Sequence, residues 1–125
     1  MIESRWSQNV LIGLLAVILI ALSLWGWSNG VSSAKAKRVV KDAKTISQGF
    51  QEFYKDQNRY PSIVEFENNN LMRQYITNFP PQEFKTSTCP QTFDYYNVAP
   101  QTYELRFCLP KGVMGYKTGW NTIKP

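Results

Sequence analysis

Cys89 and Cys108 are the residues of this 125-residue chain best suited to covalent chemistry. Joined as a disulfide they would close a loop of about 20 residues, which in the chain-entropy account contributes roughly 3 kcal/mol. Such a bond belongs to an oxidising compartment, so this pairing also reads the domain as exported. Two buried free thiols and a metal pair are the other options. The metal pair lacks further soft ligands, because the sequence contains no His.

Carboxylates are the next candidates. A carboxylate acid–base pair needs two of them in contrasting environments, one desolvated and one ionised. Glu52, Asp56, Glu65, Glu67 and Glu104 show no pattern that places two in an apolar pocket, and solvated surface is the expectation for all five. Tyr54, Tyr60, Tyr95, Tyr96 and Tyr103 have the chemistry to stack on a sugar or a single-stranded nucleic acid. Half-buried packing against a sheet is the expectation that prevails for them. With no His and no Gly-rich phosphate loop, the chain is read as non-enzymatic, with no cofactor and no metal.

The formal charge of +5 suggests an anionic partner. Five of the fourteen basic residues, Lys35, Lys37, Arg38, Lys41 and Lys44, lie just beyond an apolar segment. Lipid headgroups account for that cluster more simply than nucleic acid does. Membrane lipid is therefore the expected partner, and nucleic acid the lesser one.

The elements that must position these residues begin with the apolar segment. Between Val10 and Trp27 only Gly13, Ser23 and Gly26 fall outside the apolar and aromatic set, and no charge interrupts the run. A helix of that length rises roughly 27 Å, close to the thickness of the bilayer's hydrocarbon core. Trp6 precedes it and Trp25 and Trp27 close it, where indoles favour the interfaces. A cleaved signal is the competing reading, with small residues at Ser32-Ser33-Ala34 and Ala34-Lys35-Ala36. The run exceeds the roughly 7–15 residues of a signal's apolar region, which favours a permanent anchor.

Gly26 and Gly30 should weaken the helix locally, so residues 1–30 are read as an anchor helix ending in a joint. Residues 31–125 are the exported head. Within it, Ala36, Val39, Ala43, Ile46, Phe50 and Phe53 recur at spacings of three and four and form one stripe. Lys37, Lys41 and Lys44 fall on the opposite side, so residues 34–57 make an amphipathic helix that Asn58-Arg59-Tyr60-Pro61 ends. Ser62 and Glu65 have capping-box spacing for a short helix, and a second is expected over 71–76. Residues 90–125 read as β-structure. Strands at 93–98 and 102–109 flank Ala99-Pro100-Gln101 in an antiparallel hairpin, and 115–123 supplies a third.

The stretch from Thr45 to Pro61, TISQGFQEFYKDQNRYP, resembles the end of the long first helix of type IV pilins and type II secretion pseudopilins. Gln74–Pro81, the strand-like runs at Phe93–Tyr96 and Tyr103–Phe107, and the closing Gly115–Pro125 resemble the rest of their heads. The resemblance implies a pilin-like α+β fold: a long N-terminal helix, half transmembrane and half amphipathic, packed on a small antiparallel sheet. It also implies a structural filament subunit, self-associating or joining related subunits through its first helix. Val10, Leu11, Leu14, Leu15, Val17, Ile18, Leu22 and Trp25 would pack in the membrane or filament. Val39, Ala43, Ile46, Phe50 and Phe53 would pack the helix on the head.

The start, Met1-Ile-Glu-Ser-Arg-Trp6, departs from the family's basic leader, Gly cleavage site and Phe-Thr-Leu-Ile-Glu pattern. Glu3 is read as an ordinary polar residue before a membrane helix, with pairing to a neighbour's amino terminus as the alternative. The charge distribution also opposes an exported head. Basic residues follow the apolar run while Arg5 alone precedes it, and the positive-inside rule would keep the head in the cytoplasm. A single-pass membrane protein with an extracytoplasmic head, extending to an extracellular filament, is the expected location. The alternative function is a monomeric anchored binding module for DNA or a glycan.

Overall fold

The computed structural model describes the backbone of residues 2–125 and the side chains of residues 7–25 and 30–125. Helix α1 runs from Ile2 to Gln57, and the chain divides into two compact units, Met1–Ser32 and Ser33–Pro125. The fold is α+β, with the long helix followed by two short helices and a three-stranded antiparallel sheet.

In the first unit the apolar segment is helical, and its described side chains, residues 10–25, are all exposed. It is long and apolar enough to cross a membrane. Its one hydroxyl between residues 10 and 25 is satisfied internally, Ser23 Oγ donating to the Leu19 carbonyl at 2.8 Å. That suits a helix without water around it. The backbone stays helical through residues 26–30, where the two glycines led to the expectation of a joint. Glycine lowers helix propensity but keeps its N–H, so the hydrogen-bond ladder can continue across it. Trp25 is exposed. The readings of Glu3, Trp6 and Trp27 fall outside the described side chains.

In the second unit α1 presents its stripe to the core. Ala36, Val39, Ala43, Ile46, Phe50 and Phe53 are all buried, with Val40 beside them, while Lys37, Lys41 and Lys44 are exposed. The helix ends at Gln57, where it was expected to. Asn58 takes a left-handed φ of 55° and donates its N–H to the Tyr54 carbonyl at 2.8 Å. Asparagine tolerates that conformation better than most residues, so it closes the helix before Pro61 is reached.

Helix α2, Ile63–Glu67, starts with a capping box: Ser62 Oγ accepts from the Glu65 N–H and the Glu65 carboxylate from the Ser62 N–H. Helix α3 spans Asn69–Met72 rather than the expected 71–76. The Asn68 side chain caps it by accepting from the Leu71 N–H at 3.2 Å, which moves the start forward.

Strands β1 (Phe93–Tyr96), β2 (Glu104–Leu109) and β3 (Gly119–Ile123) lie in the order β1-β2-β3. Both pairings are antiparallel, with Phe93 opposite Phe107 and Phe107 opposite Asn121. The β1–β2 connection is longer than the three residues expected. Asn97 Nδ2 ties it together by donating to the carbonyls of Ala99 and Thr102, so residues 97, 98, 102 and 103 leave the ladder. The third strand begins at Gly119, because Met114 and Gly115 both take positive φ in a turn bridged from Val113 to Tyr116.

Phe93, Tyr95, Leu105, Phe107 and Leu109 point from the sheet into the core, where they meet the α1 stripe and Met72, Ile76 and Phe79. Phe50 is at its centre. Its ring lies 4.8 Å from Tyr103, 5.1 Å from Tyr95 and 5.8 Å from Phe66. These tilted and edge-on arrangements are the ones aromatic pairs prefer.

Candidate functional site

The covalent feature is a disulfide between Cys89 and Cys108, with Cα atoms 5.6 Å apart. Both half-cystines are buried. Backbone bonds brace them: Cys108 N–H donates to the Thr92 carbonyl, and Thr86 and Cys89 exchange hydrogen bonds at 2.8 and 2.9 Å. Buried Thr92 accepts from the Phe84 N–H at 2.7 Å. The bridge therefore anchors a strandless loop, residues 82–92, to β2, and its role there is structural.

The carboxylates do not converge on a catalytic pair. Glu52 meets Lys55 at 3.1 Å on the exposed side of α1. Glu104 lies between Arg106 at 3.2 Å and Lys124 at 3.3 Å, and hydrogen bonds from these two hold its carboxyl below the ordinary value. Glu65 takes both guanidinium nitrogens of Arg59, with Nη2 to Oε2 at 3.0 Å. Those hydrogen bonds, opposed by partial burial and assisted by the Ser62 backbone, hold it down to about 2. This fork joins the end of α1 to the start of α2 across Pro61, and the Arg59 guanidinium also lies over the Phe53 ring at 5.3 Å. Asp56 is exposed.

The tyrosines pack rather than form a platform. Tyr95 and Tyr103 are buried, Tyr95 donating to the Pro61 carbonyl at 2.6 Å and Tyr103 sharing a hydrogen bond with Ser47 at 3.1 Å. Burial pushes both hydroxyls above their ordinary value. Tyr60 bridges Tyr54 and Tyr103, with ring centroids 4.9 and 4.7 Å away. Tyr96 alone faces outward from the sheet, under the Arg106 guanidinium at 4.5 Å.

Two surfaces remain that internal packing does not explain. The first is the apolar segment. Val10, Leu11, Leu14, Leu15, Val17, Ile18, Leu22 and Trp25 are between 52% and 71% exposed. Each such side chain is worth about 1.5–3 kcal/mol when moved from water into an apolar setting, so this surface requires a cover. No family model, curated protein or solved structure matches the chain.

The second surface is a groove of about 630 Å³ beside β1. Phe66, Phe79 and Phe93 contribute apolar wall, and Glu67, Glu83 and Asp94 contribute charge. Sequence reasoning missed it, because its residues come from α2, the Phe79–Pro81 turn, the loop after it and β1. Glu67 was considered singly, and Glu83 and Asp94 not at all. Among the described residues no group of three or more His, Cys, Asp or Glu is arranged to hold a metal ion.

Proposed function

We propose that this protein is a membrane-anchored structural subunit of a pilin-like or pseudopilin-like filament, without enzymatic activity, whose folded unit lies outside the cytoplasm. One observation carries the reading. A single helix supplies both an apolar segment with no partner in the protein and the central core element of a small disulfide-bridged α+β unit. Lipid covers the segment before assembly, and the same segments of neighbouring subunits cover it afterwards. Van der Waals packing drives that exchange, because lipid tails and leucine side chains are equally apolar.

The disulfide supports export, since such bonds persist in oxidising compartments. It outweighs the basic cluster after the segment, which marks only a bias in orientation. A nucleic-acid ligand for the folded unit is disfavoured at the groove, where phosphates would meet three carboxylates.

The test has two parts. A membrane-impermeant maleimide applied to cells with permeabilised outer layers should label Cys89 and Cys108 only after an impermeant reductant. Labelling that requires lysis makes the folded unit cytoplasmic and ends the proposal. Filaments sheared from the cell surface should then carry the protein into the pellet, and Leu14→Arg should abolish that. Quantitative retention as a membrane-bound monomer would leave an anchored module in place of a filament subunit.

A further inference from the structure

The sheet ends on β1 with one edge unpaired. The Cys108 N–H donates to the Thr92 carbonyl at 2.9 Å, which sets the parity of the antiparallel ladder. Residues 92, 94 and 96 therefore turn their backbone groups toward β2, and Phe93 and Tyr95 turn theirs away from it. Among the described residues, the N–H and C=O of Phe93 and Tyr95 form no hydrogen bond to any backbone or side chain. Two donors and two acceptors in strand geometry are thus left for another chain.

All four residues of β1 line the groove, so the unpaired edge and the cavity are one feature. Its apolar wall includes Phe66 and Phe79, which a side chain entering from above would contact. Its charge is of one sign: Glu67, Glu83 and Asp94 line it, and no Lys or Arg does. Asp94 accepts a hydrogen bond from the Tyr96 hydroxyl at 2.6 Å, and Glu83 is 3.7 Å from the exposed Lys85. Three of the chain's nine carboxylates are gathered here, so the groove selects for a basic segment. The chain's basic cluster, Lys35 to Lys44, is held inside α1, where its backbone groups are committed to the helix. A second copy therefore cannot offer that cluster as a strand.

We propose that the β1 groove binds an extended, Lys- or Arg-bearing segment of a different protein by strand addition. The main chain of that segment pairs with Phe93 and Tyr95. Successive side chains point to opposite faces, so the apolar ones lie on the side of Phe66 and Phe79 and the basic ones on the side of Asp94. This holds whether or not the protein assembles into filaments, because the groove lies wholly within residues 33–125.

The test uses the full chain in zwitterionic nanodiscs and a capped hexapeptide of alternating Lys/Arg and Val. Fluorescence anisotropy should show saturable binding. Binding should weaken about tenfold when Glu67→Gln, Glu83→Gln and Asp94→Asn are combined, and about as much when alternate peptide nitrogens are methylated. Hydrogen exchange at the Phe93 and Tyr95 amides should slow when peptide is added. Since methylation changes only the peptide, it tests strand addition on the unaltered protein. Equal binding of a glutamate-for-lysine peptide, indifference to methylation, or no binding at 1 mM would each overturn the proposal. So would displacement of the peptide by excess unlabelled chain, which would make a second copy the occupant.

Discussion

Residues 10–25 and residues 36–53 belong to one helix, yet they solve the problem of apolar surface in opposite ways. In the first, apolar side chains point in every direction and all are exposed. In the second, they recur every three or four residues, and the stripe is buried to within 1% while lysines occupy the far side. Backbone conformation is the same in both. The difference lies in the distribution of apolar side chains around the axis, and it decides where the covering partner comes from. A stripe can be covered by the chain's own sheet, whereas a helix apolar all round can be covered only by lipid or other chains.

Removing the ring at the centre of the folded unit's core should separate the two regions most sharply. Phe50→Ala deletes a ring packed on Phe66, Tyr95 and Tyr103 and should cost the folded unit about 3–5 kcal/mol. That is a large part of the 5–15 kcal/mol typical of a domain. Leu14→Ala, 58% exposed, should leave the same transition within about 0.5 kcal/mol. Urea unfolding in detergent micelles, followed by near-UV circular dichroism, measures both. Comparable losses would mean that residues 10–25 are packed on the folded unit after all. Next in size, Cys89→Ala with Cys108→Ala should cost roughly 3 kcal/mol by freeing the loop in the unfolded chain. Far-UV helicity of the apolar segment should be unaffected by that change, and its loss would couple regions that the comparison treats separately.

What the sequence made legible follows the same division. The apolar run, the α1 stripe and the Ser62–Glu65 capping box are patterns within one element, and periodicity or fixed spacing exposes them. Val40 was missed because it widens the stripe beyond its three-and-four seam. The helix end at residue 57 is legible, but its cause is Asn58 rather than Pro61, because a left-handed residue leaves a weaker mark than a proline. Helix α3 starts earlier than its pattern suggests for the same reason, its cap being one asparagine in a run of three. The groove was not legible at all. Glu67, Glu83 and Asp94 are brought together by the meeting of α2, a loop and a strand edge, and no periodicity links positions so far apart. The Arg59–Glu65 fork spans a proline and was invisible for that reason.

Glycine sharpens the comparison at a smaller scale. A Cβ on Gly49 would run into Ile76 Cγ1 and come within 2.8 Å of the Tyr75 carbonyl oxygen. A Cβ on Gly13 would meet nothing within 4 Å. Overpacking costs about 1–3 kcal/mol, and the gain in helix propensity returns up to about 1 kcal/mol. Gly49→Ala should thus lower the stability of the folded unit by about 1–2 kcal/mol, while Gly13→Ala should leave it unchanged. The same urea experiment reads both, and a stabilising Gly49→Ala would show that the loop carrying Tyr75 and Ile76 gives way at no cost.

The smallest expected effect is electrostatic and confined to the second region, since residues 7–25 contain no ionisable side chain. Glu65 is held down to about 2 by the Arg59 fork, so folding favours its ionised form. A carboxyl lowered on folding stabilises the protein above its unfolded value, near 4.3, and that stabilisation disappears as pH falls toward 2. Arg59 is 39% exposed, and solvent screening reduces the contribution to about 1 kcal/mol. Glu65→Gln should therefore trail the unaltered protein by that amount at pH 7, and the gap should close between pH 4.5 and 2. A gap that stays constant over that range would make the loss one of hydrogen-bond geometry in the capping box. Charge pairing across Pro61 would then contribute nothing, and the junction between α1 and α2 would rest on Phe66, Tyr95 and the helix cap alone.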